Sequence, residues 1–103
     1  MSRRLKTDTV DERDAAQLAE LFRAFSDTSR VRILSALVRS ELNVSTIAET
    51  IGISESGVSH HLRGLRQMRL VRTRKEGRQV FYCLDDDHVA VIFKQGLDHV
   101  RHG

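Results

Sequence analysis

The sequence predicts a mainly α-helical domain carrying one small β-hairpin. Three observations lead there. Proline is absent and aromatic residues are few, so little interrupts a helix. Apolar residues recur at three- and four-residue spacing along most of the chain. One stretch, LVRTRKEGRQVFYCL, reads instead as two strands about a glycine turn. At 103 residues this is a single small domain with a modest core, to which pairing with a second copy would add burial.

Residues 1–9 read as a frayed basic tail, and residues 10–103 as the domain. The tail lacks an apolar stretch, so it is not expected to act as a secretory signal. No apolar run is long enough to span a bilayer. The single cysteine excludes an internal disulfide framework and suits a reducing cytoplasm.

The first helix is expected from Val10 or Asp11, with Asp11, Glu12 and Asp14 favouring its positive end. Leu18, Leu21, Phe22 and Phe25 give it an apolar face. Ser26-Asp27 ends it and offers a cap to the next helix, about Thr28 to Val38. That helix should bury Val31, Leu34 and Leu37, leaving Arg30 and Arg32 in solvent or near phosphate.

The stretch VSTIAETIGISESGVSHHLRGL follows, and it has the order of a helix-turn-helix over about residues 44–68. Ala48 is small enough for two helices to approach closely. Gly52 supplies a positive φ to end the first helix. Ile53 and Val58 fill the space between the helices, and Ser54 caps the second. With Val58, Leu62 and Leu65 inward, Ser56, Ser59, His60 and Arg63 face out from the half that such motifs insert into the major groove. Their hydroxyls, imidazole and guanidinium, with Ser54, suit base edges or phosphate.

The hairpin, about residues 71–84, has strands at Val71 to Arg74 and Gln79 to Leu84 and a turn at Glu76-Gly77-Arg78. A hairpin directly after a recognition helix is the wing of a winged helix. Lys75 and Arg78 at its tip can reach phosphate or the minor groove. Charge agrees with this face. Residues 54–82 hold Arg63, Arg66, Arg69, Arg72, Arg74, Lys75 and Arg78 against Glu55 and Glu76, whereas the rest of the chain is nearly balanced.

The last stretch, LDDDHVAVIFKQGLDHVRHG, reads as a helix over about residues 86–102. Val89, Phe93, Gly96 and Val100 form one stripe. Asp86 and His88 stand at its front and His99 and His102 at its back. His88 and His99 share a face but lie about 16 Å apart along the axis, too far for one metal ion with ligands at about 2 Å. A second copy laid antiparallel about a two-fold axis near Phe93 and Lys94 closes the gap. It gives two equivalent sites, each built of Asp86 and His88 from one chain and His99 and His102 from the other, and it makes the protein a homodimer. Three imidazoles and one carboxylate suit tetrahedral Zn(II). The histidines bind when neutral, so affinity should fall below about pH 6.5. The other reading of the same residues is local: aspartates capping a helix start, and histidines solvated at a helix end. Cys83 is expected as a half-buried strand residue, and His61 as surface or packing.

From FSDTSRVRILSAL, SESGVSHHLRGLRQMRLV, EGRQVFYCL and DDDHV…LDHVRH, the chain resembles the ArsR/SmtB family of metal-sensing repressors over about residues 15–102. The resemblance implies a dimeric winged helix-turn-helix. Its metal-free form would bind double-stranded operator DNA, and metal would release it from efflux or sequestration genes. The cysteine pair of the family's thiolate sensors is missing: ELNVS has Asn43 and Ser45 there. The family's last-helix site, D-x-H then H-x-x-H, is matched by Asp86, His88, His99 and His102. Nickel and cobalt sensors draw further ligands from extended tails. Here the tail lacks histidine and cysteine and Gly103 follows His102, so four-coordinate Zn(II) is expected, with Co(II) as competitor. The resemblance also implies a bond from the ring of His99 to the backbone carbonyl of Arg69.

Three alternatives stay open: a winged-helix regulator with a non-metal trigger or none, a metalloenzyme, and an architectural DNA-binding protein. The second lacks both an open metal position and a nucleophile or general base, so no small organic substrate is expected. The third would not prefer an inverted repeat.

Overall fold

A computed structural model describes residues 9–103. The expected basic tail, apart from Thr9, lies outside the described residues. The chain forms helices α1 (Glu12–Ala24), α2 (Thr28–Arg39), α3 (Val44–Ile51) and α4 (Glu55–Gln67), strands β1 (Val71–Glu76) and β2 (Gln79–Leu84), and helix α5 (Asp87–His102). This is a winged helix-turn-helix, as expected.

Short polar side chains set the helix starts. Asp11 accepts from Asp14 N–H at 2.8 Å, Asp27 from Ser29 N–H at 3.1 Å and Asn43 from Thr46 N–H at 2.8 Å. Ser54 accepts from Gly57 N–H at 3.0 Å, and Asp86 from His88 N–H at 2.9 Å. Each satisfies a donor that the first helical turn leaves free. Gly52 ends α3 at φ 75°.

The core lies where α2, α3 and α4 meet. Ile33, Leu34, Ile47, Val58, Leu62 and Leu65 are fully buried, joined by Leu37, Ala48, Ile51, Leu70, Val71 and Val89. Burying one such aliphatic side chain contributes about 1.5–3 kcal/mol, so this cluster carries the fold. Val31 departs from expectation. The inward stripe of α2 runs through Ile33, Leu34 and Leu37, and Val31, rotated off it, is half-buried beside Phe25, Phe93 and Val100.

β1 and β2 pair antiparallel from Val71↔Leu84 to Glu76↔Gln79, leaving Gly77-Arg78 as a two-residue turn with Gly77 at φ 63°. β1 runs two residues further toward the tip than the sequence suggested. Leu42 adds a rung, exchanging backbone bonds of 2.8 and 3.1 Å with Tyr82. It roots the wing beside the start of α3.

α1 and α5 differ from the rest. α1 buries only Ala24, and α5 only Val89. Phe22 is 55% exposed and Val100 80%. Leu18, Leu21, Phe22, Phe25, Val91 and Ile92 line an open apolar groove between the two helices. Among the described residues, no helix is long and apolar enough to cross a membrane.

Candidate nucleic-acid interface and metal centre

α3 and α4 meet across the Gly52 turn. With Val58, Leu62 and Leu65 buried, α4 turns Ser56, His60 and Arg63 to solvent, and Ser54 at its cap is exposed too. Ser59 was expected among them. It is half-buried, because it lies nearer the packed flank next to Val58. Ser54 Oγ and Ser56 Oγ stand 3.2 Å apart, so the cap serine also fixes its neighbour.

In the wing, Lys75 and Arg78 are exposed at the tip. Arg74 is occupied otherwise. Its Nε donates to Glu41 at 2.7 Å and its guanidinium lies 5.1 Å from the centre of the Phe81 ring. The hydrogen bond to Glu41 pushes this arginine further up, so it is a fixed cation committed to the root of the wing. Asn43 Nδ2 donates to Gln79 Oε1 at 3.0 Å while Asn43 Oδ1 caps α3. These bonds tie the wing to the start of the helix-turn-helix. Arg32, expected in solvent or near phosphate, donates to Ile51 O at 2.8 Å, a carbonyl freed at the end of α3.

α4 ends with Arg69 at φ 61°. Leu70 N–H donates to Leu65 O at 2.9 Å and Arg69 N–H to Arg66 O at 3.0 Å, the bond pair of a helix end that usually places glycine at the left-handed position. No sequence signal marks this conformation, since arginine is uncommon there.

At the front of α5, Asp86 has two roles at once. Its Oδ1 caps the helix, accepting from His88 and Val89 N–H at 2.9 and 3.3 Å. Its Oδ2 faces the His88 ring, 3.4 Å from Nδ1. Desolvation pushes this carboxyl up, but hydrogen bonds from the His88 side chain and from the Val89 and His88 backbone outweigh it and hold the group below its ordinary range. The capping and ligand readings are thus compatible: one oxygen serves each. At the back, His99 and His102 are exposed, and His102 Nε2 lies 3.8 Å from Asp98 Oδ1. The helix keeps the front and back pairs apart. Among the described residues of one chain, no three metal-ligating side chains come together. The donors present, an anionic oxygen beside an imidazole at one end and two imidazoles at the other, match what a tetrahedral divalent ion takes.

Cys83 is a buried free thiol opposite Arg72 in the hairpin, more buried than expected.

The family described as bacterial regulatory protein, arsR family, matches residues 27–73. The transcriptional repressor SmtB homolog of Synechocystis is 43% identical over 99 residues, covering 96% of this chain and 75% of that protein. The HTH-type transcriptional regulator NmtR of Mycobacterium tuberculosis is 40% identical over 93 residues, covering 90% of this chain and 78% of the relative. A homodimeric winged helix-turn-helix DNA-binding domain from Mycobacterium bovis superposes with a TM-score of 0.78 at 29% identity, over 91% of this chain and 94% of that one. At such identity over nearly its whole length, this chain belongs to the ArsR family of bacterial regulatory proteins, which are transcription regulators rather than enzymes.

Proposed function

We propose that the chain is a metal-responsive repressor. As a metal-free homodimer it binds operator DNA in the cytoplasm, α4 entering the major groove and the wing tip meeting the backbone. Ser54, Ser56, Ser59, His60 and Arg63 supply the helix contacts, and Lys75 and Arg78 those of the wing. Asp86 and His88 of one protomer, with the partner's His99 and His102, would hold Zn(II), or Co(II) in competition. Once bound, the ion adds a bridge between the two last helices. Metal and DNA favour different arrangements of the dimer, so each weakens the other by the same factor. Metal efflux or sequestration genes are then released.

One observation carries this reading. α5 bears a donor pair at each end and, between them, apolar side chains such as Val91 that the described residues leave 54% exposed. An antiparallel second copy would cover the apolar surface and join the pairs together. Among the described residues of the single chain, the His99 ring makes no hydrogen bond to the Arg69 carbonyl; formed in the metal-bound dimer, that bond would tie the site to the end of α4 and fix the His99 tautomer.

The test is an operator-binding assay across a metal series, with zinc titrated calorimetrically into the dimer. Zinc should weaken operator binding, cobalt should act similarly, and His99→Ala should abolish the effect. Absence of zinc binding would leave a winged-helix regulator with another trigger. Zinc-driven release that survives His99→Ala would remove His99 from the coupling.

A further inference from the structure

Behind the exposed edge of α4, a polar contact joins it to the start of α2. The His61 ring lies between Arg30 and Asp27. Its Nδ1 is 3.5 Å from Arg30 Nε, and its Nε2 is 3.9 Å from Asp27 Oδ2. The imidazole is only 21% exposed, and Arg30 is half-buried. Asp27 meanwhile caps α2 through Oδ1. Arg30 Nε–H donates to Nδ1, while Nε2 faces the Asp27 carboxylate on the opposite side of the ring.

Two further features fit this arrangement. A Cβ added at Gly64, one turn along α4, would come within 3.3 Å of Arg30 Nη2, so the guanidinium lies close against a helix face that glycine keeps open. The His61 ring also meets the His60 ring at 5.6 Å between centroids and 62° between planes. His60 is one of the exposed side chains on the proposed DNA-reading face.

The apolar contacts of α4, through Val58, Leu62 and Leu65, are not directional, and a helix can roll slightly on such a stripe. Hydrogen bonds are directional. We propose that Arg30, His61 and Asp27 are positioning residues for operator recognition. They fix the roll of α4 against α2 and, through the His61 ring, the orientation of His60. The inference rests on operator binding by α4 and not on the metal site.

The test compares wild type, His61→Leu, His61→Gln, Arg30→Met and the double variant His61→Leu/Arg30→Met. Each is titrated into an operator duplex obtained by in vitro selection and into an unrelated duplex, over a range of salt. His61→Leu and Arg30→Met should each weaken operator binding about tenfold. Binding to the unrelated duplex and the salt dependence should stay unchanged, since no phosphate contact is lost. The double variant should be no weaker than a single one, because one contact is being broken. His61→Gln, whose amide offers both a donor and an acceptor, should restore most of the affinity. Unchanged operator affinity, or additive losses, would overturn the proposal. So would equal losses on both duplexes with a salt slope reduced by about 0.9 for Arg30→Met, which would make Arg30 a phosphate contact. Should a variant fail to fold, the Nδ1 nitrogen resonance of His61 decides in the folded Arg30→Lys protein, which lacks Nε–H. A shifted resonance supports the contact and an unmoved one ends it.

Discussion

Asp85 donates its backbone N–H to the carbonyl of Leu70 at 3.0 Å. Leu70 closes the end of α4, and Asp85 directly precedes the capping Asp86 of α5. Arg72 Nη1 holds the other side of the same residue, donating to Asp85 O at 3.0 Å. The front of the last helix is therefore hydrogen-bonded to the segment that ends α4, the proposed DNA-reading helix, within one chain. Replacing Arg72 by Met removes one of these two holds without touching a proposed ligand. Zinc affinity of the free dimer should change by less than about threefold, while the zinc-driven loss of operator affinity shrinks severalfold. Calorimetry and operator titrations measure the two quantities separately. An undiminished zinc effect would show that this junction carries none of the coupling.

The capping role of Asp86 and its proposed ligand role can be separated by mutation. Asn caps a helix about as well as Asp, whereas Ala does not. Asp86→Asn should leave the metal-free melting temperature nearly unchanged yet weaken zinc binding, because an anionic ligand is lost. Asp86→Ala should lower both. The pH dependence follows from the sign of the shift. The folded carboxyl lies below its ordinary value of 3.8, so it stabilises the metal-free fold at pH above that value. The stabilisation disappears as pH falls through the folded value. Asp86→Asn should therefore flatten the acid limb of the stability–pH curve. An identical acid limb in wild type and variant would contradict the capping bonds described above.

Gly52 and Arg69 hold similar left-handed backbone angles with opposite chemical suitability. Gly52→Ala introduces a Cβ where the backbone disfavours one and should cost about 1–2 kcal/mol. Arg69→Gly removes that penalty and should raise stability by ~0.5–1 kcal/mol, part of the gain being offset by a more flexible unfolded chain. Urea denaturation at equilibrium reads both. Equal signs for the two would mean that backbone strain at these helix ends is not what differs.

The contrast between these two positions shows what the sequence could reveal. Gly52 was legible because glycine announces a left-handed end, while Arg69 carries no such mark. Asp27, Ser54 and Asp86 were legible as caps because capping is chemistry among near neighbours. Leu42 pairing with Tyr82, Arg74 with Glu41, Arg32 with Ile51 and His61 with Arg30 were not. Those partners are 40, 33, 19 and 31 residues apart, and only the packed core brings them together. The same limit explains Arg30: a basic residue on a helix looks solvated until the neighbouring helix is in place. The donor spacing on α5 was readable, since it depends on helix geometry alone. What would join the two ends in the proposed site lies outside a single chain.

The wing and the recognition helix should fail differently when mutated. Lys75 and Arg78 are exposed at the tip without a carboxylate partner among the described residues, whereas Arg74 is tied to Glu41. Lys75→Ala and Arg78→Ala should each weaken binding to all duplexes alike and lower the salt slope by about 0.9. His60→Ala and Ser56→Ala should leave that slope intact and relax discrimination among operator variants, by about 1–3 kcal/mol for a lost base contact. Anisotropy titrations over a salt series with matched and mismatched duplexes separate these patterns. A uniform loss with His60→Ala would move that residue from base reading to backbone contact.

Phe22 tests the requirement for a second copy. It is largely exposed on α1, within the groove that α1 forms with α5. Within one chain, Phe22→Asp exchanges an exposed ring for an exposed charge, so the fold should survive at low concentration. In a symmetric pair the change is felt twice, and burying a phenylalanine contributes about 1.5–3 kcal/mol each time. The dimer dissociation constant should therefore rise at least about a hundredfold, as sedimentation velocity would show. Zinc affinity should collapse along with it, because each α5 alone keeps only Asp86 with His88, or His99 with His102, in reach of one ion. If the monomeric variant still bound zinc as tightly as wild type, the donors would have to meet within one chain. The length of α5 does not allow that.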